Sequence, residues 1–154
     1  MAVSPTRGFE FAFNMDGSNN PPIARDFAWA GGAAYKVGDL FYFETTNGYA
    51  SVCPGTAGTF ALVLAEPTLA ADAAATLRKF YVIQPGQVWR CSGDATTTTA
   101  KVGNKGCINL DENTMDSSET TGGSVTLIGT ASAVDTDGKT VALVTFAAST
   151  LQTA

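Results

Sequence analysis

Hydrophobic and polar positions alternate over short stretches along most of this chain, and clusters of Gly, Asp, Asn and Pro break the alternation at close intervals. Phe9-Glu-Phe-Ala-Phe13 sets aromatic residues at period two, the spacing of one face of a strand. It is followed by Asp16-Gly-Ser-Asn-Asn-Pro-Pro22, whose paired prolines stop regular structure. Residues 1–22 therefore predict an extended N-terminal arm. Its Phe9, Phe11 and Phe13 need cover, either from the body or from a neighbouring subunit.

Two β units follow. Over residues 23–67, a Gly-Asp turn leads into Leu40-Phe-Tyr-Phe43, Asn47-Gly48 gives a hairpin turn before Tyr49–Cys53, and Gly55–Gly58 separates these from Thr59–Ala65. About three strands in one meander are expected. Residues 68–79 carry enough alanine, with Thr68 as an N-cap, to predict either a short helix or a linker. Residues 80–147 form the second unit. Pro85-Gly86 turns the chain between Phe80–Ile83 and Gln87–Cys91, Ala95–Ala100 suits an edge strand or loop, and Asp111–Gly123 is an acidic surface loop. Asp137-Gly138 joins Val125–Ala133 to Thr140–Phe146 as a hairpin, and residues 148–154 are a frayed or docked tail. The fold class expected is all-β: a small β-sandwich or barrel-like body of two β units, with an extended N-terminal arm and at most one short helix. The units form one shared sandwich or two subdomains.

Composition narrows what such a body does. Only 15% of the 154 residues are charged, against about 25% in an ordinary soluble domain. The nine basic residues are outnumbered by fourteen acidic ones, for a net charge of −5, which argues against nucleic acid as a partner and favours a basic one. No run approaches the roughly 20 apolar residues of a membrane helix, and Met1–Arg7 lacks the pattern of a secretory signal, so the expectation is no membrane and synthesis in the cytoplasm. Cys53, Cys91 and Cys107 cannot all pair internally; they read as free thiols, with a Cys91–Cys107 bridge as the alternative.

Candidate chemistry is sparse. The chain has no histidine, which removes His-based nucleophile systems and zinc sites together. The acid pairs Asp111 with Glu112 and Asp116 with Glu119 are in the turn-rich acidic loop, where a carboxyl stays solvated. Asp135-Thr-Asp-Gly138 lacks the later ligands of a calcium loop, and Val102-Gly-Asn-Lys-Gly106 lacks phosphate-loop spacing. No enzyme activity, cofactor or metal is expected. Trp29 and Trp89 are candidate exposed aromatic contacts, which keeps a carbohydrate-binding β-sandwich module as a competing reading.

Ile83–Cys91 (Ile-Gln-Pro-Gly-Gln-Val-Trp-Arg-Cys), Val102–Leu110, the long Val125–Phe146 segment and Ala34–Tyr42 together resemble capsid decoration, or cement, proteins of tailed bacteriophages. The likeness spans about residues 33–146 and rests on glycine and strand rhythm. It implies a virion structural protein on the capsid exterior that binds major capsid protein subunits and stabilises their contacts, with Phe9, Phe11 and Phe13 anchoring the arm. It also implies a homo-oligomer, commonly a trimer. Removing residues 1–22 is then expected to weaken capsid binding and leave the body folded. A phage tail or baseplate protein is the further alternative.

Overall fold

The alternating segments fold as strands because their branched and aromatic side chains cover one another across ladders. The computed structural model describes residues 8–53, 59–94, 97–109, 114–117, 124–134, 140–147 and 151. It is all-β, as expected: the described residues hold eleven strands and one single-turn 3-10 helix at Thr99–Lys101.

The first barrel is built from β2 (Arg25–Trp29), β3 (Leu40–Phe43), β4 (Ala50–Val52), β5 (Leu62–Leu64) and β6 (Thr76–Val82), closed in the order β2-β4-β3-β5-β6. Its interior holds Trp29, Phe41, Leu62, Leu64 and Phe80, all buried. The rings meet edge to face, with Phe41 and Phe80 5.0 Å apart at 67°. The second barrel contains β7 (Gln87–Gly93), β8 (Lys105–Asn109), β9 (Thr114–Asp116), β10 (Val125–Val134) and β11 (Thr140–Phe146). It closes through a parallel β7–β9 pairing. β1 (Glu10–Asn14) lies antiparallel beside Gln87–Arg90 of β7, on the edge that β9 takes further along at Ser92 and Gly93.

The two barrels repeat one design. In each, the first strand pairs parallel with the third, and the ring runs on through antiparallel pairings to the second, fourth and fifth strands. The correspondence reaches single hydrogen bonds. Gly38 N–H donates to Leu64 O and Leu64 N–H to Asp39 O; Gly103 N–H donates to Leu127 O and Leu127 N–H to Asn104 O. Ala30 N–H to Ala50 O is matched by Asp94 N–H to Met115 O, and Ile83 N–H to Ala61 O by Ala147 N–H to Ser124 O. The turns behind these bonds are Lys36-Val-Gly-Asp39 and Lys101-Val-Gly-Asn104, each with its glycine at positive φ, 96° and 91°.

The barrels are joined by buried contacts. Leu40 and Val63, with the half-buried Tyr42 and Tyr81, pack into the same cluster as Phe9, Phe60, Trp89 and Phe146. Both chain ends reinforce this joint. Phe9 N–H donates to Gly38 O in the first barrel while the strand that follows pairs with β7 in the second. Gly8 and Gly38 meet backbone to backbone, so closely that a Cβ on Gly38 would stand 2.3 Å from the Gly8 Cα. Leu151, in the tail, bridges in parallel to Phe60.

Of the two alternatives for residues 68–79, the helix is not observed: turns lie within 70–75 and β6 begins at Thr76, because pairing with both β2 and β5 outweighs alanine's helix propensity. The first β unit consequently extends to Val82, past the expected end at residue 67, and Pro85-Gly86 links the two barrels. The arm takes the body as its cover, one of the two outcomes expected, since β1 joins the second sheet. The loop residues 111–113 and 118–123 and the turn at 135–139 lie outside the described residues.

Candidate functional site

The three phenylalanines of β1 part company because of one bulge. The register steps from Phe11 opposite Trp89 to Phe13 opposite Val88, so Ala12 is extra and Phe13 turns to the other side of the ladder. Phe9 is buried in the shared core, 5.8 Å from the Phe146 ring, and Phe11 meets Trp89 edge to face at 5.8 Å. Phe13 stays 45% exposed, next to Met15 at 56%. Of the expected anchoring residues, Phe13 alone keeps a ring at the surface.

Neither tryptophan is an exposed contact. Trp29 is buried inside the first barrel, where its Nε1–H donates to Asp72 at 3.0 Å. Trp89 is buried at the joint between barrels, against Phe11 and Tyr81, and its indole N–H has no hydrogen-bond partner among the described residues. A flat aromatic platform for a sugar would need another pair of rings.

The most developed polar cluster surrounds Asp72, which sequence reasoning passed over because it falls in the stretch read as helix or linker. Its carboxylate accepts from Trp29, from Arg78 Nε at 2.9 Å and Nη2 at 2.6 Å, and from the Leu69 N–H at 3.1 Å. The Arg78 guanidinium, ahead of these other donors, holds the carboxyl down to about 2, below the usual carboxylate range. Such an acid is ionised and fully engaged at neutral pH. It pins the 69–75 loop over Gly31 and Gly32, where Gly32 N–H donates to Asp72 O and a Cβ on Gly31 would strike the Ala73 backbone.

The remaining candidates are placed as follows. Cys53, Cys91 and Cys107 are buried thiols in no disulfide, so there is no Cys91–Cys107 bridge, and burial pushes Cys53 up to about 12, so it is protonated and unreactive at neutral pH. Asp116 is half-buried on β9, whereas its expected partner Glu119, the Asp111–Glu112 pair, Asp135 and Asp137 lie outside the described residues. Among the described residues no three His, Cys, Asp or Glu side chains gather as metal ligands, and no helix is long and apolar enough to cross a membrane.

What the surface offers is contact area. Beyond Phe13 and Met15, Ile23 is 73% exposed and Leu77 61% exposed. The tips of the two repeated turns show Val37 and Val102 in equivalent positions, both exposed. A crevice of about 300 Å³ runs between β1 and the first barrel, lined mainly by Phe9, Phe11, Pro21, Pro22, Val37 and Tyr81. No protein-family model, no curated protein and no solved structure matches this chain.

Proposed function

We propose that this chain is a virion structural protein that binds the outer surface of a tailed-phage capsid and stabilises contacts between major capsid protein subunits. The observation that carries the reading is the division of apolar groups. Both tryptophans and most phenylalanines serve the joined cores, while Phe13, Met15, Ile23, Val37 and Leu77 stand outside on a body welded by its own chain ends. A cement protein needs such a body: rigid, weakly charged and able to contact several subunits at once. The net charge of −5 suits a basic surface on the shell, and the sequence likeness to decoration proteins points the same way. Self-association, as a trimer, belongs to this reading.

The test is co-sedimentation with expanded capsid shells of the phage that encodes the chain. Saturable binding to shells is the expected result. Assembly of the protein into tubes or rings would make it a tail or baseplate component, and binding to glycans as a monomer would make it a carbohydrate module.

A further inference from the structure

The repeat exposes an asymmetry between the barrels. Backbone N–H and C=O groups of alternate strand residues point to the same side. Ala30 N–H donates to Ala50 on the β4 side and Trp29 O accepts from Ala75 on the β6 side, so Asp26 and Ala24 direct their backbone groups toward the β4 side. There β4 reaches only Trp29, and no described residue pairs with the edge at Ala24 and Asp26. The equivalent groups of the second barrel belong to Val88 and Arg90, and those are occupied by β1. Among the described residues, this edge is thus filled in one barrel and open in the other.

We infer that the β2 edge at Ala24–Asp26 is a docking site for an extended segment of a partner protein, added antiparallel to β2 as β1 is added to β7. The partner is a protein strand because the repeat supplies its template: four residues of β1 in register with Gln87–Arg90. It carries a basic residue opposite Asp26, whose exposed carboxylate is held on the β6 side by Lys79 at 3.0 Å and has room for a second cation, the charge-reversed counterpart of Glu10 opposite Arg90, an ion pair at 3.8 Å. A second copy of this chain is disfavoured. Two-fold pairing of β2 with β2 centres on Asp26 or on Arg25, and either register sets like charges directly opposite. Apolar cover for the incoming strand is at hand in Ile23, and a recess of about 270 Å³ lined by Pro21, Pro22, Ile23, Arg25 and Gln84 opens at the start of β2. The inference does not depend on the partner being a capsid protein.

The probe is a synthetic peptide spanning Gly8–Met15 with Glu10→Lys, titrated into the intact chain while amide hydrogen exchange is followed residue by residue. The expected result is saturable binding that slows exchange at Ala24 and Asp26 by about tenfold and leaves Val88 and Arg90 unchanged. Asp26→Pro removes one outward N–H and none of the N–H groups that face β6, at the cost of the exposed Lys79 ion pair, and should abolish the protection. Should that variant fail to fold, Asp26→Lys serves instead and should reverse the preference, favouring the peptide that retains Glu10. Absence of saturable binding, protection at Val88 and Arg90 instead, or no response to either substitution would overturn the inference. A dimer dissolved by these substitutions would also overturn it, by assigning the edge to a second copy.

Discussion

Single residues decide how the barrels close and meet. Gly38 and Gly103 occupy the same place in the two repeats and share the left-handed backbone, yet their surroundings differ. A methyl on Gly103 meets open space, so Gly103→Ala should cost about 1–2 kcal/mol of backbone strain alone. At Gly38 the methyl also strikes Gly8 and Phe9, and Gly38→Ala should lose more, about 3–5 kcal/mol, with β1 loosened. Chemical denaturation of the two variants measures the difference. Asp72 gives a pH signature. Its carboxyl titrates lower in the folded chain than in the unfolded one, so its contribution is present above the ordinary carboxylate range and is lost as pH falls from about 4 toward 2. Asp72→Asn should lower the melting temperature at pH 7 and flatten the acid side of the melting profile over that window.

At the scale of elements, β1 is a structural strand before it is anything else. Phe9→Ala should destabilise the chain by about 3–5 kcal/mol, as expected for emptying a buried aromatic site. Phe13→Ala should stay within about 0.5 kcal/mol and act on partner binding instead. Truncating residues 1–22 would remove Phe9 and the strand on β7, so it cannot separate binding from folding, and substitution of Phe13 and Met15 is the cleaner probe. Much of this level was legible in the sequence: the Phe9–Phe13 alternation, the Asn47-Gly48 turn and the Thr140–Phe146 strand are local signals, each seen in the fold. The helix alternative at 68–79 fails for a physical reason. Its alanines favour helix locally, but Thr68 is no helix cap: its hydroxyl bridges the Tyr35 N–H and Ala33 O, and β6 is fixed by partners distant in sequence. The bulge at Ala12, which separates Phe13 from Phe9 and Phe11, leaves no mark in the alternation. The repeat did leave a trace in Lys36-Val-Gly-Asp39 and Lys101-Val-Gly-Asn104, four residues that are easily passed over when read singly.

For the whole molecule, one strand topology used twice gives two small barrels, and their shared core makes them one body. A barrel of this size alone has little interior, and the contacts of Leu40, Val63 and Tyr81 with the second barrel supply burial that neither has by itself. On the proposed capsid reading, such a body would bridge shell subunits through Phe13 and Met15 and through the β2 edge. The most direct test is the temperature at which expanded shells of the encoding phage break apart, measured with no added protein, with the intact chain and with Phe13→Ala. The intact chain is expected to raise the disruption temperature in a saturable way, and Phe13→Ala, equally folded, to raise it less. An unchanged disruption temperature at saturating intact protein would contradict the proposed capsid role.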